Sequence, residues 1–150
     1  MRGFWLFAHY IGFTLWLGAG MAGMIAGIAA KGFAPAERLA VYRALGNVFR
    51  VLVFWGALGA VVSGFALLGP WMGSGDMPGW LAIMLVAGLA GGLVAAFGSV
   101  PTAARLARLE LDPRGELPER FFALRKRQVL VATISGGLGI LALVAGTFLR

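Results

Sequence analysis

Charged residues fall in clusters along the chain and leave four stretches without Asp, Glu, Lys or Arg: Gly3–Ala30, Val51–Gly75, Met77–Ala104 and Gln128–Leu149. Each exceeds the roughly 20 residues that a helix needs to cross a bilayer. Together they take up about two-thirds of the 150 residues, which leaves little for a separate soluble domain. The pattern predicts an all-α polytopic membrane protein with a single domain over residues 1–150. Its fold is expected to be an antiparallel bundle of four transmembrane helices, arranged as two helical hairpins, over residues 4–30, 35–68, 78–110 and 118–148.

Breakers and capping residues place the helix ends. Gly32 closes the first helix after Lys31, Pro35 sits where a first-turn proline is tolerated, and Glu37 lies at the positive end of the next helix dipole. A helix from Pro35 to Leu68 would run about 50 Å at 1.5 Å per residue, longer than the hydrocarbon layer, so its first turns must project from the membrane. Asp76 is a candidate cap for the third helix. That helix continues beyond the bilayer through Arg105–Leu109, Asp112-Pro113-Arg114-Gly115 reads as a turn, and the fourth helix restarts near Pro118. Trp5, Tyr10, Trp71 and Trp80 are expected as anchors at one interface and Phe33, Phe121 and Phe122 at the other.

Composition agrees with this class and charge orients it. Residues are 60% hydrophobic and 13% charged, against about 25% charged in an ordinary globular chain. Of the 13 Lys and Arg, all but Arg2 and Arg150 lie in the first and third connections, and the second connection has none. The excess of positive charge on the cytoplasmic side predicts both termini outside and residues 31–35 and 110–118 in the cytoplasm. The net charge of +7 is thereby a topology signal, with anionic inner-leaflet lipids as the partner and no nucleic acid. The mixed signs of the basic connections predict salt-bridged helix ends. The first segment lacks a short apolar core with a small-residue cleavage site, so it is expected to stay in the mature protein.

Gly is abundant, 24 residues, and recurs at helical spacing: Gly20, Gly23 and Gly27; Gly56, Gly59 and Gly64; Gly88 and Gly92; Gly136, Gly139 and Gly146. Small residues three or four apart let helices approach closely in lipid. They serve packing within the bundle or, on some faces, association with other membrane chains or a second copy. Pro101 predicts a bend in the third helix, with Ser99 or Thr102 satisfying the freed backbone.

Candidates for chemistry are few. Cys is absent, no Asp or Glu lies inside an apolar stretch, and no hydrolytic triad, phosphate loop or HExxH motif is present. His9 is the single histidine. Gly12, Phe13, Trp16 and Gly20 follow on its helix face, a setting that suits axial ligation of a haem iron, with the competing reading a histidine hydrogen-bonded to a carbonyl or water. One histidine cannot supply two axial ligands; Met72, Met77 and Met84 are better placed than Met24 for the second. Arg50, one turn from Asn47, suits either a lipid phosphate or a haem propionate, or snorkels to the headgroups.

The stretch His9-Tyr10-Ile11-Gly12-Phe13-Thr14-Leu15-Trp16-Leu17-Gly18 resembles the opening of small bacterial membrane proteins of the copper-resistance-D-like and HemJ-like group. Arg50, Ser63-Gly64, Val100-Pro101 and Leu124-Arg125-Lys126-Arg127 extend the likeness. A HemJ-like relationship implies a haem-associated protoporphyrinogen oxidase of the bacterial inner membrane, with haem b on a first-helix histidine and a lysine in a later helix; no lysine occurs within the second, third or fourth apolar stretch. A copper-resistance-D-like relationship implies copper held by Met and His, here His9, Met72 and Met77. The sequence thus favours an accessory, assembly or interaction subunit without a catalytic site, and carries as its alternative a haem-binding redox protein whose cofactor contacts are His9, Trp16 and Arg50.

Overall fold

The computed structural model describes residues 1–71 and 77–148. Among them four helices are long and apolar enough to cross a membrane: α1 (Arg2–Gly32), α2 (Pro35–Leu67), α3 (Gly79–Ala107) and α4 (Glu119–Thr147). This is an all-α four-helix bundle of a multi-pass membrane protein. α1 packs along α2 and α3 along α4, while α1 and α4 touch much less. The expected Asp76 cap and Met72 lie outside the described residues, and Pro78 precedes the first turn of α3.

The other ends follow local chemistry. Pro35 opens α2, and the Glu37 carboxylate accepts the Ala34 N–H at 3.2 Å. Between α3 and α4, Asp112 Oδ1 accepts the N–H groups of Arg114 and Glu116 at 3.0 and 2.7 Å, and Gly115 takes a φ of 79°, which a side chain would disfavour. α3 ends at Ala107, short of the expected 110, because Arg108 already turns out of the helix.

Size is sorted from inside to outside. The core between the membrane helices is built from Phe13, Trp16, Phe49 and Val53 with a group of alanines, Ala57, Ala60, Ala87 and Ala95 among them. Bulky Ile25, Val62, Val86 and Phe97 face outward. Lipid is as apolar as these side chains, so burying them gains little; close backbone packing gains more. The closest approach is the crossing of α1 and α2. A Cβ added to Gly12 would lie 2.5 Å from Ala60 N and 2.8 Å from Gly56 O, and one added to Gly56 would lie 2.6 Å from Trp16 N.

Beyond the membrane core, the projecting ends of α2, α3 and α4 share a second apolar cluster of Leu39, Tyr42, Leu106 and Phe121. Phe121 is 0% exposed and sits edge-on to Tyr42 at 5.1 Å, so it is a core residue and not the interfacial anchor expected of it. Only Phe33 and Phe122 are exposed as that reading requires. The expected salt bridges are also replaced. Among the described residues Glu37 and Asp112 are engaged with backbone N–H groups. Arg38 lies over the Phe121 ring, 5.0 Å from its centre.

Pro101 is carried inside α3 without ending it. The backbone widens to a π-helix over Val94–Ser99, and Thr102 Oγ1 donates to Gly98 O at 2.7 Å. A wider turn relieves the proline ring from the preceding carbonyl. A second π segment, Phe49–Val53 in α2, has no proline to announce it. Its Phe49 and Val53 and the Ala95 and Ser99 of the other are all buried.

The α1/α2 crossing predicts opposite outcomes for two glycines of α2. Gly56→Val should lower the melting temperature in detergent, by a loss on the order of 1–3 kcal/mol for overpacking. Gly59→Ala should be neutral or stabilising by up to about 1 kcal/mol, since its added Cβ would meet nothing within 4 Å.

Candidate functional site

Because α1 and α2 touch backbone to backbone, His9 on α1 reaches the main chain of α2 one turn further along. His9 Nδ1 lies 2.8 Å from Ala60 O and 3.1 Å from Ser63 Oγ. Ser63 spends its own hydrogen on the carbonyls of its helix, Gly59 and Ala60. A carbonyl only accepts, so Nδ1 carries the hydrogen, and in the neutral ring Nε2 presents a lone pair. No group among the described residues hydrogen-bonds Nε2. The ring is oriented further by Phe13, edge-on at 5.0 Å.

His9 lines two adjoining cavities at the end of the bundle that holds Arg2. The smaller, about 30 Å³, lies between α1, α2 and α3 and includes Trp16 and Gly64 in its wall. The larger, about 290 Å³, is bounded by all four helices and carries Arg2, Tyr10 and Thr147 as its polar rim. Met84 of α3 lines both. Two glycines keep space beside the two donors: a Cβ at Gly64 would lie 3.2 Å from His9 Cε1, and one at Gly146 would lie 3.3 Å from Met84 Sδ. The site is an apolar hollow with one imidazole nitrogen and one thioether inside and a cation at its mouth. Its linings contain no carboxylate among the described residues.

Of the three residues singled out from sequence, His9 and Trp16 share the wall of the smaller cavity and Arg50 stands apart. Trp16 is 2% exposed, stacks on Phe13 at 5.5 Å, and donates from Nε1 to Ser135 Oγ at 3.0 Å. Ser135 in turn donates to Gly91 O at 3.0 Å. The indole therefore ties α1 to α4 and α3 and borders the smaller cavity with its ring alone. Arg50 is exposed, lines neither cavity, and sits beside Phe49, whose ring packs on Gly23. At 1.5 Å per residue that level is about 20 Å along α1 from His9, so Arg50 does not reach the same ligand. Met77 is exposed and lines neither cavity; Met84 does both. Ser63 and Gly64 were legible as a small, polar pair at helical spacing, but Ala60 was not, because it acts through its main chain.

No family model, curated protein or solved structure matches the chain. Among the described residues no three His, Cys, Asp or Glu side chains gather into a metal-binding group.

The Trp16–Ser135 link predicts an asymmetry. Ser135→Ala should cost about 1–3 kcal/mol of stability by stranding a buried indole N–H, whereas Trp16→Phe should cost more, because it loses the same hydrogen bond and also leaves a void where the indole ring packs on Gly91 and Gly139. Thermal unfolding in detergent, followed by circular dichroism, compares the two.

Proposed function

We propose that this protein is a non-catalytic subunit of a bacterial inner-membrane complex that holds a tetrapyrrole, haem b, on His9. The hydrogen bond from His9 Nδ1 to Ala60 O is by itself the competing reading of this histidine; what supports the cofactor is that bond together with the cavities that His9 and Met84 both line. Metal-ligating histidines nearly always donate their second ring N–H to a carbonyl or carboxylate, which fixes the tautomer and aims the other nitrogen. Here the nitrogen so prepared borders an apolar hollow that also contains a thioether.

The donor set fits the group. His9 and Met84, which line both cavities, would hold the haem iron, and Arg2 of the larger cavity would offer its charge to the anionic groups of the ring. Bound haem would supply one-electron chemistry. The protein's own part is to hold the imidazole in one tautomer, keep the face dry, and offer a cation at the mouth. The likeness of His9 to Gly18 to the HemJ-like group supports the cofactor; the missing lysine argues against that group's oxidase activity. Copper is a poorer fit, since Met77 stands away from His9.

Purified protein reconstituted with haem b should show a Soret band, absent in His9→Ala and shifted in Met84→Leu. A colourless wild type, or a band unchanged by His9→Ala, overturns the cofactor and leaves helix association as the function. For the orientation drawn from the basic connections, Ser74→Cys should react with an impermeant thiol reagent in intact cells and Arg114→Cys should be protected. The reverse pattern inverts the topology.

A further inference from the structure

A second hollow lies away from His9, in the seam between α1 and α4, which touch much less than the paired helices do. Two cavities of about 200 and 270 Å³ adjoin there and share Gly20, Met24, Phe49 and Ala132 in their walls. Gly23 and Gly27 lie beneath the Phe49 ring and the Tyr42 hydroxyl and are closed off. The accessible part is a groove: Gly20, Ala132 and Gly136 are half-buried along its base, and exposed Met24 of α1 and Val129 of α4 flank it. No side chain fills the base, since a Cβ at Gly20 or Gly136 would meet nothing within 4 Å. The α1 wall runs from Lys31 to Leu17, about 21 Å at 1.5 Å per residue, which spans a headgroup and one leaflet of roughly 15 Å.

A cation is fixed at the basic end of this groove. Arg125 of α4 donates from Nε to Tyr42 Oη at 2.8 Å and from Nη2 to Gly27 O at 3.4 Å, both neutral acceptors. Tyr42 is itself buried and sits edge-on to Phe121. The guanidinium is therefore pinned in the seam by its neighbours, where a free arginine would snorkel to the surface. Two of its five N–H groups are spent in this way, and the hydrogen bonds of the described residues give the other three no acceptor. Lys31, exposed about one turn further out on α1, lines the same cavity. No carboxylate stands in the walls of either cavity among the described residues, and those of Glu37 and Asp112 are engaged with backbone elsewhere. Two cations that share a cavity repel; an anion between them reverses the sign, and a phosphate matches the fork of the guanidinium.

The order of these groups specifies the occupant. An anion belongs at Arg125 and Lys31, and a slender apolar chain belongs deeper, over the small residues of the groove base. A protein partner would have to bring a carboxylate and an unbranched apolar chain from separate residues to these two levels; a phospholipid carries both in one molecule and in this order. We propose that the α1/α4 groove seats one anionic diacyl phospholipid of the leaflet on the basic side, its phosphate held by Arg125 and Lys31 and one acyl chain lying over Gly20, Ala132 and Gly136, with the second chain in the surrounding bilayer. Such a site holds one lipid in one place, which the general attraction of a basic surface for anionic headgroups does not. It is independent of the His9 reading.

The test is native mass spectrometry of the full chain in a neutral detergent, titrated with 1-palmitoyl-2-oleoyl phosphatidylglycerol or the matching phosphatidylcholine. One phosphatidylglycerol should bind about five-fold more tightly than any further copy and than phosphatidylcholine. Arg125→Gln should weaken that first binding about ten-fold. Arg114→Gln removes the same charge from the turn between α3 and α4 and should leave it unchanged. Lys31→Gln, at an exposed position that no fold contact needs, should weaken it about five-fold and keeps the charge test readable if Arg125→Gln does not fold. Gly20→Leu leaves every charge in place and enters open space, so it should retain its melting temperature and lose the first binding about ten-fold. The proposal is overturned if Arg114→Gln weakens binding as much as Lys31→Gln, if Gly20→Leu binds like wild type, if phosphatidylcholine binds as tightly, or if glycerol phosphate without acyl chains displaces the lipid at equal concentration. A lipid-free dimer that Gly20→Leu breaks also overturns it and assigns the groove to a second copy.

Discussion

The contact of α1 with α2 at Gly12, Gly56 and Ala60 is the constraint on which the remaining geometry depends. With no side chains between them, the two backbones come close enough for a side chain on one helix to hydrogen-bond the main chain of the other. His9 reaches Ala60 O for that reason. Widening the crossing by one methyl group would withdraw the carbonyl, free the ring to turn, and open the cavities that Gly64 borders. In water such a crossing would be one contribution among many. In lipid, where apolar burial contributes little between helices, it is a principal source of specificity.

Polar groups inside the bundle act as cross-braces, and nearly all of them are short. Trp16, Ser135 and Gly91 O join three helices, and Ser99 with Gln128 joins α3 to α4. Ser63 and Thr102 donate to carbonyls of their own helices. Among the described residues three polar atoms break this economy: Gln128 Oε1 and Arg38 Nε, buried without a partner, and His9 Nε2, which no protein group engages. His9 lies at the opposite end of the molecule from the other two.

The projecting ends show how charge and packing divide the work. Leu39, Tyr42, Leu106 and Phe121 hold the helix ends together by apolar contact, so the carboxylates are not needed as ion-pair partners there. Glu37 and Asp112 cap and turn the backbone instead. The arginines consequently keep their charge for what lies outside the chain. A basic surface of this kind attracts anionic headgroups, and Arg125 brings one such charge inside the helix seam.

Sequence alone determined the class of protein. Four uncharged stretches of sufficient length become four helices because lipid leaves the backbone no other way to satisfy its hydrogen bonds. Pro35, Glu37 and the Asp112–Gly115 turn were equally legible, since their chemistry is local. His9 was legible as a candidate by being the single histidine, and Met84 as one of several methionines. Tertiary structure decided which candidates meet. It separated Arg50 from His9, turned Trp16 into a brace, buried Phe121, brought Ala60 O to His9 and set Met84 in the walls of the same cavities. The reason is physical: a helix repeat specifies which residues share a face, but the depth and rotation at which two faces meet come from where glycine lets backbones touch. Those contacts place main-chain carbonyls, and a carbonyl has no residue type by which a sequence could reveal it.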